Sequence, residues 1–93
     1  MVYIVSCEIY SMVTGMQLRS GRFILRWSVQ ELAKRSKVST STIKRIESQD
    51  SIPVATAANV AALKSALEAA GIEFIGNPSD GPGVRLHRRD QAI

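Results

Sequence analysis

The sequence predicts a mostly α fold: a four-to-five-helix helix-turn-helix domain closed by a C-terminal β-hairpin. Three observations carry this. A Ser or Thr precedes each of the first apolar-periodic runs, at Thr14, Ser28 and Ser39, where helices start. Residues 27–47, WSVQELAKRSKVSTSTIKRIE, read as two short helices on a tight turn. After Gly71 the apolar period changes from helical to alternating.

Residues 1–13, MVYIVSCEIYSMV, alternate β-branched, aromatic and small residues, as a strand does. Met12 also stands just ahead of a good helix start, so the first eleven residues fit equally an add-on, disordered or adding a strand to a partner. Thr14 and Gln17 have the spacing of a capping box, in which the hydroxyl caps an early amide and the Gln reaches back. Leu18, Leu25, Met16 and Ile24 are expected to form the inward stripe of that first helix. Gly21 costs up to about 1 kcal/mol against Ala in a helix interior, which points to close approach of another helix there.

Ser28 and Glu31 repeat the capping spacing for the second helix, which turns Leu32 and Ala33 inward. The third opens at Ser39 or Thr40, turns Ile43 and Ile46 inward and ends near Ser48, with Val38 plugging the angle between the two. A fourth helix over 55–70 carries Val60, Leu63 and Leu67 on one face, and Gly71 supplies its left-handed end. Residues 72–75 and 84–87 pair as a hairpin around a breaker-rich loop, 76–83. The predicted organisation is an extension (1–13), a helix-turn-helix domain (14–70), a hairpin that is a candidate dimerisation element (71–89) and a tail (90–93).

Composition excludes several classes. Ninety-three residues make one small domain with little stability to spare. No stretch approaches the roughly 18–20 apolar residues of a membrane span, and Glu8 interrupts a segment that has no basic start, against a secretory signal. Cys7 is the only cysteine and His87 the only histidine, which leaves no zinc set, no Cys-His nucleophile and no disulfide within the chain. No carboxylates pair for acid/base work. The expectation is a non-enzymatic protein without cofactor or metal, suited to a reducing cytoplasm.

Net charge is +4, unevenly spread. Residues 14–47 hold eight basic side chains (Arg19, Arg22, Arg26, Lys34, Arg35, Lys37, Lys44, Arg45) against Glu31 and Glu47, a balance of +6. Residues 48–80 hold Lys64 against Asp50, Glu68, Glu73 and Asp80, a balance of −3. Such asymmetry fits one face turned to a polyanion.

In a helix-turn-helix the start of the second helix meets base edges in the major groove. That places Thr40, Ser41, Lys44 and Arg45 as base readers, with Arg45 suited to a bidentate bond with guanine O6 and N7. Ser28, Lys37, Ser39 and Thr42 are placed for phosphates, beside helix N-termini whose N–H groups favour anions. Lys34 and Arg35 read as a solvated face, and Arg85, Arg88 and Arg89 as a soluble tail or a second phosphate grip. Phe74, Val84 and Leu86 are the dimer-interface candidates, because a lone hairpin needs cover.

At Ser28, Glu31, Leu32, Ala33, Val38, Ser39, Thr42, Ile43, Ile46 and Glu47 the chain resembles the phage-repressor helix-turn-helix family, the Cro-type or xenobiotic-response-element (XRE) class. LRSGRFILRWS ahead of these residues and ALKSALEAAGIEFI after them resemble small single-domain bacterial regulators of that family. The resemblance implies a four- to five-helix fold, binding to an inverted-repeat operator as a homodimer, frequent autorepression, and Thr40, Ser41 and Arg45 as base readers. The chain departs at Val29, where the family has Gln, and at Lys37 and Gln49, where it has Gly. The leading expectation is a dimeric transcriptional repressor of its own or neighbouring genes. Two others stand beside it: an antitoxin that represses its operon and binds a toxin protein, and an interaction adaptor that has lost DNA binding.

Overall fold

The computed structural model describes residues 13–87. The expectations for residues 1–12 and for Arg88, Arg89 and the tail lie outside the described residues. Four helices and two strands follow in order: α1 (Gly15–Ile24), α2 (Val29–Ser36), α3 (Thr40–Glu47), α4 (Ala57–Ala69), β1 (Ile72–Asn77) and β2 (Asp80–Leu86). None of these helices is long and apolar enough to cross a membrane.

Each helix opens on a hydroxyl. Thr14, Ser28, Ser39 and Thr56 accept from the amides of Gln17, Glu31, Thr42 and Asn59 respectively. The capping box at Thr14 is complete, since Gln17 Oε1 also accepts from the Thr14 amide at 2.8 Å. At Ser28 only half of it forms, because Glu31 turns instead to Arg35. Thr56 caps α4, so that helix starts at Ala57 rather than at residue 55.

Leu18, Leu32, Ile43, Ile46, Leu63 and Leu67 are fully buried, joined by Val13, Val38, Val60 and Ile72. Burying each such side chain is worth roughly 1.5–3 kcal/mol. Met16 and Ile24 are exposed, contrary to the stripe expected of α1, and Phe23 beside them is 63% exposed. The helix packs instead through Gly15, Gln17, Leu18 and Gly21. A Cβ on Gly21 would lie 3.3 Å from Ile72 and 3.5 Å from Leu67, so the close neighbours there are α4 and the start of β1.

The hairpin pairs Ile72 with Leu86, Glu73 with Arg85, Phe74 with Val84, Ile75 with Gly83 and Asn77 with Asp80. The expected loop over 76–83 is therefore mostly strand, and the turn is only Pro78-Ser79. Asn77 Oδ1 holds that turn by accepting from the Ser79 amide at 3.0 Å. The glycines read as loop formers make a bulge: Gly76 faces both Gly81 and Pro82, and a Cβ on Gly76 would lie 2.0 Å from the Gly81 carbonyl. The cover a hairpin needs comes from within the chain. Phe74, Val84 and Leu86 are half-buried against the core. Gln17 Nε2 donates to the carbonyls of Ile75 and Gly83 at 3.1 and 2.9 Å.

Candidate nucleic-acid interface

The α2–α3 turn is three residues long, Lys37-Val38-Ser39. Lys37 is left-handed, with φ 66° and ψ 23°. Its amide donates to the Ala33 carbonyl at 2.8 Å, and the Val38 amide donates to the buried hydroxyl of Ser36 at 3.2 Å. Ser36 thus secures a turn made without glycine, a role the sequence reading missed. Val38 is buried in the angle between the helices, as expected.

Arg26 shapes the preceding turn in the same way, at φ 60°. The Arg26 amide donates to the Phe23 carbonyl and the Trp27 amide to that of Arg22, which makes a Schellman end to α1. Each turn then reads left-handed basic residue, apolar plug, serine cap: Arg26-Trp27-Ser28 and Lys37-Val38-Ser39.

Ile43, Ile46 and Glu47 face inward from α3. That leaves Ser41, Lys44 and Arg45 exposed on the opposite side, with Thr40 and Thr42 half-buried at its edges. The four proposed base readers therefore lie on or beside one outward surface. Ser28, which caps α2, and Lys37 and Ser39, in the α2–α3 turn, are also exposed. Thr42 Oγ1 takes a hydrogen bond from the Ser39 hydroxyl at 2.9 Å, so Thr42 is tied into the cap of its own helix.

The electrostatics differ from the sequence count. Arg22 is locked to Glu47, Arg19 to the Glu47 carbonyl and Asp50, and Arg35 to Glu31 with its guanidinium 4.4 Å over the Trp27 ring. Among the described residues, Arg26, Lys34, Lys37, Lys44 and Arg45 carry no ion pair. The +6 balance already counts Glu31 and Glu47, so only the Arg19–Asp50 pair lowers it, by one. Of the five unpaired cations, Lys37 stands at the α2–α3 turn, Lys44 and Arg45 on α3, Lys34 on α2 and Arg26 at the α1–α2 turn.

Arg45 is not loose. Its Nη1 donates to the Val54 carbonyl at 3.3 Å. Gln49 clasps the same segment, donating to the Arg45 carbonyl at 3.2 Å and accepting from the Val54 amide at 2.8 Å. The 49–54 segment thus belongs to the surface, although nothing local in the sequence marked it. Among the described residues no group of His, Cys, Asp and Glu is placed to hold a metal ion. Compared with protein-family models, curated proteins and solved structures, the chain matches none.

Proposed function

We propose that this chain is a sequence-reading, double-stranded-DNA-binding protein that acts as a homodimeric transcriptional repressor, with no catalytic activity. The observation that carries the proposal is the outward face of α3. A short, capped helix presents Ser41, Lys44 and Arg45 on one side and buries Ile43 and Ile46 on the other. α2–turn–α3 acts as a helix-turn-helix, with α3 in the major groove and the turn and the start of α2 along the phosphates. Arg45 bonds a guanine edge, Lys44 and the hydroxyls of Thr40 and Ser41 serve neighbouring bases, and Lys37 neutralises a phosphate. Two copies read an inverted repeat with half-sites about 34 Å apart.

Selection of bound sequences from a random duplex pool, at two salt concentrations, tests this. The expected result is an inverted repeat whose affinity falls steeply with salt. Binding without enrichment would reduce the activity to nonspecific electrostatics, and no binding would remove the proposal. Phe74→Asp tests the hairpin's part in the dimer, since an unchanged dimer by light scattering excludes it.

A second reading, an antitoxin that also binds a protein, is favoured by the exposed Met16, Phe23 and Ile24 on α1. Such a stripe suits an apolar partner surface. Phe23→Asp with DNA binding intact and partner binding lost would support it.

A further inference from the structure

The geometry points to Val54 as an apolar base reader that recognises the methyl group of a thymine next to the base addressed by Arg45; this rests on the DNA-binding reading. Val54 is 80% exposed, more than Phe23, Ile24, Met16 or Ile52. A single exposed apolar side chain is ordinary on a protein surface. The placement of this one is not, because it adjoins the guanidinium proposed to meet bases and lies beside a cationic helix face.

The segment that carries it is tethered along its length. Asp50 pairs with Arg19 at 3.3 Å. The Ser51 carbonyl accepts from the Gly15 amide at 3.1 Å. Pro53 is buried. Val54 itself is held by its amide to Gln49 and by its carbonyl to Arg45. The isopropyl group is therefore presented by a fixed backbone, at little entropic cost on binding.

Every polar group of Val54 is already bonded within the chain, so only the side chain remains to meet DNA. The major groove offers an apolar target in one place, the thymine C5-methyl. Base steps rise about 3.4 Å, so a side chain whose own carbonyl touches the Arg45 guanidinium falls within one or two steps of the base that Arg45 bonds. Arg45 and Val54 together read a guanine with a thymine close by.

The test begins with the operator recovered by pool selection. Thymines near the Arg45-dependent guanine are replaced one at a time by uracil, which removes only the methyl group. Affinities are measured for the unmodified protein and for Val54→Ala. One uracil is expected to weaken the unmodified protein about 3- to 5-fold, the scale of one buried methyl, and to leave Val54→Ala unaffected. The variant keeps the backbone groups that bond Gln49 and Arg45, and an unchanged melting temperature verifies its fold. If guanine preference depends on Arg45 but every uracil acts equally on both proteins, the Val54 assignment fails and DNA reading stands. If no sequence is enriched, both fail.

Discussion

Arg22 on α1 and Glu47 on α3 meet in a two-pronged ion pair, with Nε and Nη2 each 2.8 Å from a carboxylate oxygen. The side chains are only 11% and 7% exposed. Arg22 Nη1 also donates to the Trp27 carbonyl, so one guanidinium ties the ends of α1 and α3 and the start of α2 together. Removing one member of such a pair leaves the other charge buried, at a cost of roughly 3–5 kcal/mol. Glu47→Leu and Arg22→Met are each expected to lower the denaturation midpoint strongly. The double change Arg22→Met with Glu47→Leu should recover much of the loss. Additive losses in denaturant unfolding would mean that the pair is not coupled.

The pair also marks a limit of the sequence. Caps at Thr14, Ser28 and Ser39 were legible because they involve residues three apart. So were Val38, Ile43 and Ile46, whose burial follows from helical spacing. Arg22 was counted as a surface charge because its partner lies 25 positions away. Met16 and Ile24 were placed inward because Met16, Leu18, Phe23, Ile24 and Leu25 surround α1, and periodicity does not choose among the stripes they offer. The hairpin was read short because glycine serves loops and bulges alike. Thr40, Ser41, Lys44 and Arg45 could be assigned to one face by spacing, whereas the Gln49 clasp on Val54 depends on the path of a non-helical segment.

Gly15 has no room for a side chain. A Cβ there would lie 2.0 Å from the Gln49 carbonyl oxygen and 2.3 Å from that of Ile46. Both are backbone atoms, so α1 and the end of α3 must separate to admit a methyl group. Gly15→Ala should destabilise by about 1–3 kcal/mol or more, despite the better helix propensity of Ala. A melting temperature at or above that of the unmodified protein would contradict this packing.

Gln17 is 3% exposed and bonds in two directions. Its oxygen completes the cap of α1, and its NH₂ reaches two hairpin carbonyls. Gln17→Leu keeps the bulk but leaves the Thr14 amide and both carbonyls without that partner. A buried polar group so orphaned costs about 1–3 kcal/mol, which applies to the Thr14 amide; the two carbonyls are only partly buried and lose less. Hydrogen exchange is expected to accelerate most along the hairpin and in the first turn of α1. Uniform acceleration across all four helices would mean that Gln17 supports the whole core rather than the joint between α1 and the hairpin.

Arg26 and Lys37 hold left-handed backbone that costs an L-residue roughly 1–2 kcal/mol. Lys37→Gly relieves it and should raise stability modestly, after the greater chain entropy of Gly is offset. Lys37→Ala removes the same charge without that relief. Both should weaken binding to all duplexes alike and flatten the salt dependence by about one phosphate contact. A variant more stable than Lys37→Ala but equal to it in DNA binding separates the backbone role from the charge. Loss of preference at a single base position would instead make Lys37 a base reader.

Glu73 and His87 close the base of the hairpin on its solvent side, with Nε2 2.6 Å from Oε1. This hydrogen bond is the main cause that holds the Glu73 carboxyl below its ordinary range; slight desolvation opposes it, and the charge of Arg85 across the strand pair assists. A carboxylate whose pKa is lowered by folding adds stability above its ordinary pKa and loses it as pH falls through the lowered value. The difference in melting temperature between the unmodified protein and Glu73→Gln should therefore be present near neutrality and shrink in acid. Because the side chain is 45% exposed, the effect should also weaken with added salt. Carboxyl titration by NMR gives the direct check: the Glu73 midpoint should rise in His87→Ala. Equal midpoints in the two proteins would show that the 2.6 Å contact does not persist in solution, and would leave Arg85 as the source of any depression that remains.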